Sequence, residues 1–481
     1  MRDSGNRRPY NRIYLSVRHK LLLALLVSSA WTLLCTWIAL PWIQDLRTVF
    51  GLPLTLAIVT GVALIPGWAN AFLICGLLID RRPLYLHHDT LPGVSILVAA
   101  YNEQAYIRET IDSVLKQRYP GPVEIIVIDD GSQDRTAAIV SAMFSEVEKR
   151  PGFSLSLLRQ QPNAGKAAAL NLGLSKARHQ VVVSLDADSY LYGQALTNLV
   201  TNLVDAPPRT AAVAGTVLVR NSRDNILTRL QEWDYFLGIA VVKRIQSLYQ
   251  GTLVAQGAFS AYQRSALEEV GGWSRTVGED IVLTWALHEH GYRISYAENA
   301  FAFTNVPDSY RQFFLQRKRW ARGLFEAFKR HASLLWRPRL ITPFVYLNAI
   351  FPFLDAAFLF AFVPGVVAAL FFHNYLLVGV MTLYLLPLML LINTIMFLHQ
   401  RRIFIRYGLQ IRKNGLGLLL YMLSYQLLMA PASLSGYLAE LLNTNKNWGT
   451  KSVSRGLENA PHVKAHPEPH AVRTKKPQHL V

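Results

Sequence analysis

Val181-Val182-Val183-Ser184-Leu185-Asp186-Ala187-Asp188 runs a short strand-forming stretch straight into two carboxylates one residue apart. A β-branched run of that length reads as a strand buried on both faces, of the kind found inside a parallel sheet covered by helices. Two earlier runs end in the same way. Val94–Val98 leads into Tyr101-Asn102-Glu103, and Val123–Ile128 leads into Asp129-Asp130-Gly131. A helical pattern over 105–117 separates them, and Leu155-Ser156-Leu157-Leu158 followed by the Ala-rich stretch after Lys166 supplies another strand–helix pair. This alternation predicts a doubly wound α/β domain with a mostly parallel sheet over residues 81–335. Ligands of such open sheets bind at the carboxyl ends of the strands, where the acidic residues fall.

Outward from this domain the chain turns apolar. Hydrophobic residues make up 51% of the 481 and charged residues only 17%. The apolar residues are concentrated in runs at 21–43, 53–80, 343–372, 374–399 and 415–442, each long enough to cross about 30 Å of hydrocarbon as a helix. The first exceeds a signal-peptide core and is read as a retained span. Pro343, Pro352 and Pro364 punctuate the third, which is either one kinked span or an interfacial piece followed by a span. The layout is thus a basic tail (1–20), two spans (21–80), the α/β domain (81–335), about three spans (336–442) and a basic, disordered tail (443–481).

Arg2, Arg7, Arg8, Arg12, Arg18 and Lys20 before the first span and Arg81-Arg82 after the second put the tail and the α/β domain on the cytoplasmic side. Three later spans would then carry the basic end of the chain outside, against the same rule. The net charge of +18 lies largely beside apolar runs, so membrane lipid headgroups, not nucleic acid, are the expected partner. Cys35 and Cys75 both fall inside candidate spans, which excludes a disulfide framework and a thiolate metal site.

Further along stand Gly278-Glu279-Asp280 and Gln316-Arg317-Lys318-Arg319-Trp320. Together with Tyr101-Asn102-Glu103, Asp129-Asp130-Gly131-Ser132 and Asp186-Ala187-Asp188, they resemble the processive family 2 glycosyltransferases, which include the cellulose, chitin, hyaluronan and poly-β-1,6-N-acetylglucosamine synthases. The stretches 225–231, 256–262 and 316–323 are most similar to the poly-N-acetylglucosamine branch. The resemblance implies a GT-A-like, nucleotide-sugar-binding cytoplasmic domain combined with a helical multi-span membrane region, in a bacterial inner membrane.

The chemistry that this implies suits the residue types. A nucleoside diphosphate leaves readily once its charge is neutralised, and Asp186 and Asp188 are the ligands expected to hold Mg2+ or Mn2+ there. Tyr101, Glu103, Asp129 and Asp130 are assigned to the base and ribose of the donor, and Lys166 and Asp186 to its phosphates. Lys166 does not belong to a P-loop, because Gln160 takes the first glycine position and Ala167 follows the lysine. Asp280 is the expected general base, and Glu279 is assigned to the acceptor. Gln316, Arg319 and Trp320 share one helical face, as a phosphate clamp with an indole for the acceptor sugar.

Each motif taken singly has a plainer reading. Asp186-Ala187-Asp188 and Asp129-Asp130-Gly131 also fit turns, Glu279-Asp280 also fits the acidic first turn of a helix, and 311–330 also fits an amphipathic surface helix. On that last reading Arg311, Arg317, Lys318, Arg322, Lys329 and Arg330 face headgroups while Arg319 turns inward. Asp355, Asn348, Asn393 and Gln426, polar inside apolar runs, line either an aqueous path for a polysaccharide or helix–helix contacts.

The expected activity is processive, inverting polymerisation of a UDP-sugar, foremost UDP-N-acetylglucosamine, onto a growing polysaccharide acceptor that is exported as a biofilm exopolysaccharide. A small membrane subunit is implied by the resemblance alone. The alternatives are another UDP-sugar polymerase, a transferase to a lipid carrier, and, from a different class, a silent scaffold or channel.

Overall fold

The computed structural model describes residues 15–81, 88–378, 381–409 and 414–444. The expected tail at 443–481 lies almost entirely outside these residues, as do most of the amino-terminal basic residues.

The strands are β1 (Val94–Ala100), β2 (Val123–Asp129), β3 (Phe153–Arg159), β4 (Val181–Leu185), β5 (Tyr190–Leu191), β6 (Thr210–Val219), β7 (Phe259–Gln263) and β8 (Arg293–Thr304). They form one sheet in the order β3-β2-β1-β4-β7-β6-β8-β5. The first four strands are parallel, as their hydrophobic runs predict. β7 runs against both β4 and β6, and β5 runs against β8, so the sheet is mixed beyond β4. The reversal has a consequence for the site. Pairing Phe259 with Leu185 brings the loop before β7 to the carboxyl edge, where Asp186 N–H donates to Ala258 O at 3.3 Å.

Side chains alternate between the two faces of the central strands. Ile96, Val98, Ile125 and Val127 pack with the helices Ile107–Leu115 and Ala195–Val204, while Leu97, Ile126 and Ile128 pack with Lys166–Lys176, Arg264–Glu269 and Glu279–Glu289. Ile107, Ile111 and Val114, at one helical face, show why Ile107–Leu115 folds as it does.

By length and composition, Val17–Ile38, Leu40–Ile79, Thr342–Phe372 and Gly415–Leu441 could each cross a membrane. The first expected run stops short at Ile38, and a separate piece, 40–50, precedes the second span because Gly51 adopts φ 70° and breaks the helix. The proline-punctuated segment is one helical path, Thr342–Ala357 and Val363–Phe372 joined by a π turn at Phe358–Phe362. The expected run at 374–399 is shifted by seven residues: the described residues 373–378 are not helical, and the helix there is Met381–Arg406.

The α/β domain is bound to these helices through polar contacts. Arg244 pairs with Asp80, at the end of the second span, at 2.6 Å, and with Glu298 of β8. The helix Tyr310–Arg330 lies on Gly415–Leu441, and a Cβ on Gly436 would stand 2.5 Å from Lys318 O, so only glycine admits that approach.

Candidate active site

The loops after β1, β2 and β4 meet at the carboxyl edge. Asn102 N–H donates to Ser132 Oγ (2.9 Å), Glu103 N–H to Thr136 Oγ1 (2.8 Å) and Ser132 N–H to Asp129 Oδ1 (3.1 Å), so the Tyr101–Glu103 and Asp129–Ser132 loops brace one another. The buried Asp130 accepts Ala164 N–H and Gly165 N–H at 2.9 and 2.8 Å. Burial raises its pKa against the pull of those two N–H donors. Asp130 is therefore committed to shaping the loop that starts the helix at Lys166, a role that its place beside Asp129 did not reveal.

Lys166 Nζ reaches Asp186 Oδ1 at 2.6 Å and Glu279 Oε1 at 3.2 Å. Burial alone would lower the lysine's pKa, but the two carboxylates outweigh it and the net shift is upward. Glu279 is itself buried, and desolvation together with Asp280 raises its pKa against Lys166 and Arg319. It faces the interior and pairs with Lys166, which differs from its expected place on the acceptor.

Asp280, half-buried in the first turn of Glu279–Glu289, accepts Ile281 N–H at 2.8 Å and Gly257 N–H at 3.2 Å. Two consecutive residues of the loop before β7, Gly257 and Ala258, thus touch Asp280 and Asp186. Glu326 fixes the start of this helix by accepting Val277 N–H (2.8 Å) and Gly278 N–H (3.2 Å). The backbones are close enough there that a Cβ on Gly278 would lie 2.5 Å from Gly323 Cα. Glu326 carried no motif in the sequence. Lys243 did not either, although its Nζ donates to Gln256 and burial, opposed by Asp280, pushes its pKa down to about 7.

On the helix Tyr310–Arg330, Gln316 Oε1 and Arg319 Nε are buried yet lack hydrogen-bond partners among the described residues, and Trp320 is 39% exposed. Arg317 departs from the headgroup reading. It is buried, its guanidinium lies 4.1 Å from the Trp320 ring centroid, and it pairs with Asp234 at 3.0 Å. Tyr425 Oη donates to the same Asp234 carboxylate at 2.8 Å. Arg322 is buried too, at 3.4 Å from Glu440. Both arginines are drawn inward by acids far away in sequence.

Tyr235 joins the two parts of the site. Its ring is 6.4 Å from that of Trp320, and its pKa, raised to about 12 by burial, also responds to Arg317, Asp234, Asp188 and Asp186. Asp188 accepts Thr304 Oγ1 at 3.2 Å. No group of three or more His, Cys, Asp or Glu residues suited to a metal occurs among the described residues. Two carboxylates, Asp186 and Asp188, still fit a hard cation that takes its other oxygens from a bound diphosphate.

Residues 95–271 match the family model described as Glycosyl transferase family 2. The chain is similar to a poly-beta-1,6-N-acetyl-D-glucosamine synthase of Staphylococcus epidermidis, 36% identical over 244 residues that cover 50% of this chain and 57% of the relative. To the Staphylococcus aureus (strain COL) protein of the same name it is 34% identical over 253 residues, covering 52% and 59%. The match thus spans less than two thirds of either relative's length. A mannosyltransferase from Pyrobaculum calidifontis, solved in complex with GDP-Man and Mn2+, shares the fold with a TM-score of 0.54, covering 89% of this chain and 100% of that one at 21% identity.

Proposed function

We propose, for a chain whose residues 95–271 form a family 2 glycosyltransferase domain, that it is a membrane-embedded, inverting polysaccharide synthase extending a β-linked chain from a UDP-sugar. UDP-N-acetylglucosamine is the preferred donor, by similarity to the staphylococcal synthases. The carrying observation is the pair of unsatisfied, buried polar atoms on Gln316 and Arg319, on a helix that also exposes Trp320 and packs on a candidate span. Buried polar atoms without partners call for a ligand, and a sugar nucleotide offers both phosphate oxygens and hydroxyls. The α/β domain is assigned to the cytoplasmic side, where the donor is made.

In this reading Tyr101, Glu103 and Asp129 border the nucleoside, with Asp130 holding their loop to the start of the Lys166 helix. Lys166 and Arg319 bring positive charge to the diphosphate. A bound Mg2+ or Mn2+, held by Asp186 and Asp188, would supply the remaining neutralisation of the leaving group. Trp320 offers its face to the acceptor sugar. Asp280 takes the proton from the acceptor hydroxyl as that oxygen bonds to the anomeric carbon and the bond to the diphosphate oxygen breaks, so the anomeric configuration inverts. Glu279 balances Lys166 from within.

Membranes containing the chain, incubated with labelled UDP-N-acetylglucosamine and other UDP-sugars, should release UDP and build a polymer from the first. Digestion with linkage-specific hydrolases identifies the bond. UDP release without polymer would overturn processivity, and no release from any UDP-sugar would overturn the enzymatic reading.

A further inference from the structure

Away from the active site, a cleft of about 570 Å³ is lined by Ser16, Arg18, His288, Tyr292, Arg293 and Arg339, among others. No carboxylate lines it among the described residues. The nearby acids are engaged elsewhere: Glu269 accepts Tyr292 Oη at 2.5 Å, and Glu289 pairs with His331 at 2.7 Å. Two more cations stand close by. Arg209 lies 5.5 Å from the Tyr292 ring centroid, and Arg337 and Arg209 both act on Arg339, whose pKa burial and these like charges lower against the opposing pull of Glu289. Such a concentration of positive charge in one concavity, offset only in part by Glu289, is destabilising unless an anion shares it.

The location narrows the class of anion. Arg18 is in the first turn of Val17–Ile38, and Ile341, also lining the cleft, immediately precedes Thr342–Phe372. Two candidate spans therefore begin at one cleft, at the level where headgroups lie. Planar guanidinium groups bind phosphate oxygens in pairs.

We infer that this cleft binds a phosphate-bearing anion, supplied either by the headgroup of an acidic phospholipid or as a free phosphate group. It is independent of the donor-binding residues and of the proposed reaction.

The test uses the full chain in nanodiscs of mixed phosphatidylcholine and phosphatidylglycerol, with quantification of the lipids retained after detergent extraction. The wild type should retain phosphatidylglycerol preferentially, and Arg18→Gln combined with Arg293→Gln should reduce that preference about 25-fold, or about fivefold per cation. Arg293→Lys keeps the charge but loses the paired contacts of the guanidinium, and should lose less than the roughly fivefold expected for removing one cation. Arg311→Gln, exposed at the far end of Tyr310–Arg330, should change it less than twofold, and thermal unfolding of each variant checks folding. If inorganic phosphate stabilises the wild type but not the double variant, while lipid retention is unselective, the anion is free phosphate and the site stands. Equal lipid retention by the folded double variant and the wild type, without any phosphate effect, overturns it, as does an equal loss on Arg311→Gln.

Discussion

The proposed donor edge and the proposed acceptor side of the candidate site are built from different materials. At the donor edge, carboxylates are held by backbone N–H groups of the loops at the sheet's carboxyl edge: Asp129 by Ser132, and Asp130 by Ala164 and Gly165. On the acceptor side, Trp320 rests on Arg317, whose charge is met by Asp234, which is in turn held by Tyr425 of a candidate membrane helix. Backbone donors are fixed once the sheet has formed. The second arrangement depends on side chains from segments 83 to 191 residues apart, and so on the packing of the α/β domain against the membrane helices. A soluble fold could keep the first and lose the second.

The largest expected effect lies where the two parts meet. Asp280→Asn should cut turnover by at least about a hundredfold, as expected for loss of a general base, while UDP affinity measured by calorimetry stays near the wild-type value. Near-normal turnover would remove Asp280 from the chemistry and leave it as a helix-start acid. A smaller loss is expected on the donor side. Lys166→Met removes a charge-assisted contact to the diphosphate and should weaken donor binding by a factor on the order of 10 to 100. This loss should be equal in native membranes and in detergent, because Lys166 and its partners Asp186 and Glu279 all lie within the α/β domain. Detergent-dependent affinity would break the comparison.

Much of the donor edge was legible in the sequence, and most of the acceptor side was not. Val181–Leu185 is a strand with the bounds its β-branched run predicts, and the other parallel strands extend the expected runs by a residue or two at their ends. Periodicity and strand-end chemistry are local signals, so Asp129, Asp186 and Lys166 could be singled out as candidates and the structure brings them to one edge of the sheet. What each carboxylate binds is not local. Asp130 looked like a ligand contact because nothing nearby announced that Ala164 and Gly165 would claim both its oxygens. Arg317 looked solvated because helical spacing separates it from Gln316 and Arg319, yet Asp234 and Tyr425 cover that side. The reversed strand β7 was equally hidden, since a short buried strand reads the same in either direction.

The acceptor side makes its own prediction, of intermediate size. Arg317→Lys keeps a cation for Asp234 but loses the flat guanidinium against the Trp320 ring, so polymer formation should fall about tenfold while UDP affinity stays within about twofold. Hydrolysis of the UDP-sugar by water should persist, because that reaction needs no acceptor platform. Asp234→Asn should show the same separation. If either variant lowers donor affinity as much as Lys166→Met does, the two sides are one rigid unit and the distinction between them fails.

The smallest effect concerns the membrane helices themselves. Gln426 Nε2 donates to Asp355 Oδ1 at 2.7 Å, and Tyr437 Oη donates to Asp355 Oδ2 at 3.3 Å, so the acid on Thr342–Phe372 is tied to Gly415–Leu441. These bonds favour helix–helix adhesion over the aqueous path considered for the same residues. Hydrogen bonds between membrane helices contribute about 0.6 kcal/mol on average and up to about 1.7, because polar groups find partners in the unfolded chain as well. Gln426→Leu should therefore lower stability by no more than about 2 kcal/mol, measured by unfolding in mixed micelles. Tyr437 also stacks on Phe325 of Tyr310–Arg330 at 5.0 Å, so loosening this contact reaches the helix that carries Trp320. Polymer length should shorten slightly with UDP affinity unchanged. Longer polymer, or export that stops while synthesis continues, would instead mean that Gln426 meets the moving chain, and the path reading would replace adhesion.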